Sequence, residues 1–192
     1  MRRTLNMGGM MDTPVLEQLR RTIKTNAWRT GDFTLASGQK SDYYIDLKAV
    51  TLDGQGSVMV GEAVYHAIRD WNADAVGGME LGSVPISTAV CLVAAQKGVK
   101  LSNIIVRKQA KDHGTGKGIE GALKPGARVV VVEDVVSTGG SSLKAIEALE
   151  AAGAVIAGVV AIVDREMGGA RAFEGRGLRY RPLLTVSDLR RE

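Results

Sequence analysis

A chain of 192 residues, 45% apolar and 24% charged, has the usage of a single folded domain, and it can bury about 70% of its unfolded surface without disulfides or metal. Lysine plus arginine at 25 against 21 acids gives +4 and a pI near 9.3, which favours an anionic ligand; with few aromatics and dispersed charge it does not point to nucleic acid. The longest apolar run, Gly153 to Val163, is about half of what spans a bilayer, so no membrane span is expected.

The N-terminus, Arg2 and Arg3 followed by Asn6, Gly8 and Gly9, opens like a signal peptide but has no apolar segment behind it, and 1–11 is read as a disordered leader. Asp12 or Thr13 before Pro14 starts a helix whose stripe is Leu16, Leu19 and Ile23, ending near Asn26. From 31 to 52 the texture changes to two short strands, one with Phe33 and Leu35 and one with Tyr43, Tyr44 and Ile45, joined at Ser37-Gly38 and lying outside the main core. Val60, Val64, Ala67, Ile68 and Trp71 recur at helical spacing from Ser57 to Trp71, then a strand spans Ala75 to Gly78. Pro85 opens a helix that ends at Gly98, and Asn103 to Val106 is the next strand. Lone Cys91 on that helix is expected to be a buried core thiol, in a reducing, cytoplasmic compartment.

Periodicity stops between Arg107 and Gly121, which predicts a long mobile loop. Val129 to Val132 is a β-branched run of the kind buried on both faces of a parallel sheet, followed by a glycine-containing turn from Glu133 to Gly140. A helix from Ser141 to Ala152 and a strand from Val155 to Val163 complete a crossover unit, and Arg179 to Val186 is the last strand. The fold class is therefore α/β, a mainly parallel twisted sheet flanked by helices with a small N-terminal hood.

The strongest chemical signal is Glu133-Asp134-Val135-Val136-Ser137-Thr138-Gly139-Gly140-Ser141. A buried strand delivers two acids at its carboxyl end, where open α/β sheets bind ligands, and a small-residue loop then opens a helix. Backbone N–H groups there carry the positive end of the helix dipole, so a phosphate is the natural guest, with the hydroxyls of Ser137, Thr138 and Ser141 adding bonds. Paired acids would repel phosphate and fit sugar hydroxyls better, directly or through a metal-bound water. The plain alternative is an ordinary strand-to-helix turn. Gly116-Lys117-Gly118-Ile119-Glu120-Gly121 spells a dinucleotide fingerprint, but no strand precedes it and Pro125 follows before any helix could form. With only His66, read as structural, and His113, a multi-histidine metal site is excluded.

Glu133 to Ser141 resembles the phosphoribosyl pyrophosphate motif of type I phosphoribosyltransferases. Arg107-Lys108-Gln109-Ala110-Lys111-Asp112-His113-Gly114 is similar to the catalytic loop of orotate phosphoribosyltransferases, and Leu35-Ala36-Ser37-Gly38 with Ser41-Asp42-Tyr43-Tyr44-Ile45-Asp46 resembles that family's N-terminal signature. Asp164-Arg165 stands where the family places its orotate-carboxylate arginine. The resemblance implies transfer of ribose 5-phosphate from phosphoribosyl pyrophosphate to orotate, in pyrimidine (UMP) synthesis, by one domain over 1–192 whose first 50 residues form the hood. Lys111, His113 and Asp134 are the implied catalytic residues. Arg107 and Lys108 join them and the motif residues around phosphoribosyl pyrophosphate, while Arg165, Ser137, Tyr44, Ile45 and Lys40 are implied for orotate. It also implies Mg2+ held mainly by substrate, with Glu133 and Asp134 nearby and no dedicated protein ligand set. A homodimer whose catalytic loop crosses into the neighbouring site is implied, with no nucleic acid or membrane partner. The cationic loop suits this chemistry, since closing it excludes water and meets the charge on the leaving pyrophosphate. Two positions depart from the family pattern: at Ala36 many members carry a basic residue, whose contact is here either missing or supplied by Lys40, and around Gly82 in Leu81-Gly82-Ser83 some carry a lysine. A purine phosphoribosyltransferase and a non-catalytic nucleotide-binding regulator on the same fold are the alternatives.

Overall fold

Runs of valine at 129–132 and 155–163 can bury completely only if helices cover both faces of the sheet, and this is what the chain builds. The structure, a computed structural model, describes residues 13–34, 38, 40–109 and 118–191. Helix α1 (Thr13–Asn26) leads into an antiparallel hairpin of β1 (Trp28–Thr34) and β2 (Lys40–Ile45). A short α2 (Lys48–Thr51) and α3 (Gly54–Ile68) follow, then β3 (Ala75–Met79), α4 (Ser83–Gln96), β4 (Ser102–Val106) and β5 (Ile119–Glu120). The second half comprises β6 (Arg128–Val136), α5 (Gly140–Ala151), β7 (Val155–Asp164), α6 (Gly169–Glu174), β8 (Tyr180–Thr185) and α7 (Val186–Arg190).

The main sheet has the order β5-β4-β3-β6-β7-β8, parallel except where β5 pairs with β4. From β3 the chain steps outward to β4, whereas from β6 it steps the other way to β7 and β8. The order therefore reverses between β3 and β6, and the crevice beyond their carboxyl ends is where a ligand belongs. Along β6 the side chains alternate: Val130 and Val132 pack with Leu19, Val60, Val64, Ile86 and Val90 of α1, α3 and α4, while Val129 and Val131 pack with Ala145, Ile146 and Leu149 of α5.

Several expected boundaries shift. The first hairpin strand begins at Trp28, and α3 begins at Gly54 because Asp53 caps it, accepting from the Gly56 N–H at 2.9 Å. Glu133 to Val136, expected in a turn, continue strand β6, because β7 pairs with them as far as Val136↔Asp164. Ile119 and Glu120, expected within a loop, form edge strand β5; 110–117 lie outside the described residues, as do the expected leader and most of Leu35 to Ser37-Gly38. Val186, expected in the last strand, starts α7, where Thr185 and Asp188 form a reciprocal capping box. Cys91 is half-buried rather than a core thiol and neighbouring Leu92 is 62% exposed, because α4 turns Val90, Val93 and Ala94 inward instead.

Candidate active site

At the end of β6 the two acids point into different surroundings, as alternation on a strand requires. Glu133 is 8% exposed and accepts from Ser142 Oγ at 3.0 Å. Burial, and next the neighbouring Asp134 carboxylate, push it well above the usual carboxylate range. Asp134 is half-buried and takes the Val135 N–H on Oδ1 at 2.8 Å. Its carboxylate lies directly against Gly82 at the start of α4: a Cβ on Gly82 would sit 2.6 Å from Asp134 Cγ. A side chain at Gly82 would thus displace the Asp134 carboxylate, since the backbone after β3 closes on that residue near the end of β6.

Ser137 to Gly139 form the turn into α5. Gly139 takes φ +84, and α5 has no side chain capping its N-terminus, so its first N–H groups and the dipole's positive end face the cleft. That cleft, about 630 Å³, is lined by Glu133, Val135, Val136, Ser137, Thr138, Gly139, Gly140, Ser141 and Ser142, the motif expected to hold phosphate, together with Lys144. Sequence reading passed over Lys144; the signal was its place at the start of the second turn of α5, from which a lysine can reach back toward the helix N-terminus.

A second cleft, about 600 Å³, opens where the hairpin meets the end of β7 and is lined by Asp32, Phe33, Lys40, Ser41, Asp42, Tyr43, Arg165 and Met167. It brings together Lys40 and Arg165, which lie far apart in sequence. Arg165 donates from Nε to Tyr43 Oη at 3.1 Å and from Nη2 to Ser41 Oγ at 3.3 Å. Neither Tyr44 nor Ile45 is among the lining residues. Tyr44, 43% exposed, meets the Phe33 ring at 5.6 Å, and Ile45 packs against the core. Ser41 and Met167 were not singled out for this site, and Tyr43 only, with Tyr44, as either a base-stacking wall or a plain hairpin aromatic, because a hairpin's alternation does not say which face a distant β7 will meet. Lys48 was also missed: its ammonium is held above its ordinary range by the Asp46 hydrogen bond first, with Asp134 and Tyr44 adding to it.

The phosphate turn and the Arg165 segment are bonded to each other. Arg165 N–H donates to the Val136 carbonyl at 2.8 Å and Gly169 N–H to the Ser137 carbonyl at 3.0 Å. On the other side of the crevice, Arg107 pairs with Glu120 at 3.6 Å, and the Lys108 N–H donates to Glu80 Oε1 at 3.0 Å. Lys111 and His113, further along the same segment, lie outside the described residues.

The turn into α5, the Asp134 carboxylate and the arginine cleft therefore share the carboxyl end of one sheet. The family model for the phosphoribosyl transferase domain matches residues 54–172. Over 176 residues the chain is 42% identical to the orotate phosphoribosyltransferase of Aquifex aeolicus, covering 90% of this chain and 96% of that one. It is 46% identical over 174 residues to that of Thermosynechococcus vestitus, covering 90% and 92%. Among solved structures it resembles Mycobacterium tuberculosis orotate phosphoribosyltransferase, crystallised with Fe(III) dicitrate, at TM-score 0.82 and 38% identity, covering 93% of this chain and all (100%) of that one. The crystal form of that enzyme with 5-phospho-alpha-D-ribosyl 1-diphosphate matches at TM-score 0.78 and 35% identity, covering 92% and 99%. Adenine phosphoribosyltransferase from Leishmania donovani shares the fold alone, at TM-score 0.63, 15% identity and 88% and 80% coverage. The chain belongs to the phosphoribosyl transferase family and, within it, to the orotate phosphoribosyltransferases.

Proposed function

We propose that the protein transfers ribose 5-phosphate from phosphoribosyl pyrophosphate to orotate, giving orotidine 5′-monophosphate and pyrophosphate for pyrimidine nucleotide synthesis. The observation that carries this reading is the Arg165 guanidinium in a cleft beside Lys40, on the segment bonded to the phosphate turn. Orotate differs from uracil by a carboxylate, and a guanidinium holds that group through two parallel bonds. Ser137, Tyr44 and Ile45 complete the proposed orotate set.

In the reaction the bond from the anomeric carbon to the pyrophosphate oxygen breaks, a base nitrogen bonds to that carbon, and the proton this nitrogen gives up leaves with the pyrophosphate. The Ser137 to Ser141 turn binds the 5-phosphate, and Asp134 accepts a ribose hydroxyl. Arg107, Lys108, Lys111 and His113 meet the charge that grows on the leaving group and exclude water that would hydrolyse the sugar. Mg2+ suits the hard oxygen donors of this site: substrate oxygens would hold the ion, with the Asp134 and Glu133 carboxylates nearby. When bound, it supplies further positive charge against the pyrophosphate. One domain over 1–192 with 1–50 as its hood, a homodimer that exchanges the Lys111 loop between sites, and a cytoplasmic location belong to the same reading. No helix of the described residues is long and apolar enough to cross a membrane.

The test is incubation with phosphoribosyl pyrophosphate, magnesium and a panel of bases. Orotate is consumed while adenine, guanine and uracil are left; preference for a purine replaces this reading with that of a purine enzyme.

A further inference from the structure

Among the described residues the guanidinium of Arg165 is hydrogen-bonded along one edge only. Its Nε–H and one Nη2–H go to Tyr43 Oη at 3.1 Å and Ser41 Oγ at 3.3 Å, both on β2. The Ser41 hydroxyl already donates its hydrogen to the Tyr43 carbonyl at 2.7 Å, so it meets Arg165 as an acceptor. Tyr43 is 7% exposed; Trp28 stacks on its ring at 4.6 Å, 4° from parallel, and the Arg165 guanidinium carbon lies 4.8 Å from the ring centroid. A stacked, buried ring has little freedom, so its hydroxyl is a fixed point.

The other end of Arg165 is fixed as well. Asp164 accepts from the Glu166 N–H at 2.7 Å and from Tyr180 Oη at 2.9 Å. Glu166 Oε2 in turn takes the Ser187 N–H at 2.8 Å and the Ser187 hydroxyl at 2.7 Å. Backbone and guanidinium are thus held by separate sets of bonds.

A guanidinium has five N–H groups in one plane. With the Nε/Nη2 edge given to Tyr43 and Ser41, the end formed by Nη1 and the outer Nη2–H is the remaining fork that fits a carboxylate, and Nη1 has no hydrogen-bond partner among the described residues. We propose that Tyr43 and Ser41 are positioning residues for base specificity: they occupy one edge of Arg165 so that its Nη1/Nη2 end is presented to the carboxylate of an acidic pyrimidine base. This rests on the reading of Arg165 as the carboxylate-binding residue.

The experiment is a double-mutant cycle. Tyr43→Phe keeps the ring and its stack and removes only the acceptor. Orotate KM should rise about tenfold, the scale of one hydrogen bond to a charged group. The value of kcat at saturating orotate and the KM for phosphoribosyl pyrophosphate should each stay within about twofold. Ser41→Ala should raise orotate KM about threefold and supplies the same test if Tyr43→Phe does not fold. In an Arg165→Ala background neither substitution should raise orotate KM further. Additive effects in that background, or equal weakening of both substrates, overturn the positioning role. So does a silent Tyr43→Phe beside a damaging Arg165→Ala. An Arg165→Ala protein with unchanged orotate KM overturns instead the underlying reading of Arg165.

Discussion

Replacing Gly82 with alanine isolates one contact. Gly82 has φ −58 and ψ −38, a conformation any residue adopts, so the backbone does not resist the change. The conflict is with Asp134: the added Cβ would lie 2.6 Å from Cγ and 2.7 Å from both carboxylate oxygens. Carbon atoms sit about 3.5 to 4.0 Å apart at ordinary contact, so the carboxylate must retreat by roughly 1 Å. Retreat strains or breaks the 2.8 Å bond from the Val135 N–H, one to a charged acceptor and worth about 1.5 to 3 kcal/mol. In a domain of this size that lowers Tm by about 3 to 12 °C. The kinetic cost should be larger, because a misplacement of about 1 Å in a catalytic group can cost about 100-fold. Gly82→Ala should therefore melt as a folded protein while kcat/KM for phosphoribosyl pyrophosphate falls about 100-fold, read by steady-state kinetics and a thermal melt. Activity within twofold of the parent would refute the idea that Asp134 must stand where Gly82 allows it.

Lys111→Ala should lower kcat far more than it weakens either substrate, because leaving-group charge is greatest in the transition state. If its loop acts across a dimer, mixing Lys111→Ala with Asp134→Asn protein should restore some activity in hybrid sites, and no recovery after proven subunit exchange would argue for action within one chain. Desolvation pushes the Cys91 thiol up to about 11. At pH 8 its reactive thiolate is therefore about a hundredfold scarcer than in an ordinary cysteine, so iodoacetamide should label the folded protein about that much more slowly, accelerating about tenfold per pH unit from pH 7 to 10. Labelling at the rate of a free thiol at pH 8 would contradict this.

The order of the large elements was legible because valine runs and helical stripes report burial directly: Val129 to Val132, the Val159 to Val163 part of the second run and the α1 stripe of Leu19 and Ile23 became core, while Val155 at the start of β7 stays exposed. Helices α2, α6 and α7 were not legible, since four to six residues carry no periodicity. Pairing was equally hidden. Glu133 to Val136 look like a turn until β7 lies beside them, and Gly158, at φ +151 where β7 is irregular, makes room for the Trp71 ring from the end of a distant helix. The phosphate half of the site was readable because its residues are consecutive. The arginine cleft was only half readable: Lys40 and Arg165 could be proposed from motif positions, but Tyr43 and Ser41 reach Arg165 across 122 and 124 residues, and no local pattern encodes that contact.

The two backbone bonds from Arg165 to Val136 and from Gly169 to Ser137 bear on how such a site can change over evolutionary time. They anchor both ends of a short segment to the phosphate turn. Side chains at 165 and 167 can be exchanged to suit a different base while those bonds persist, because they use only main-chain atoms. Inserting or deleting a residue between them would pull one N–H out of register and distort the anion cradle as well. New base preferences are thus reachable by point substitution, with the sugar-phosphate half carried along unchanged, whereas length variation in this segment is closed off.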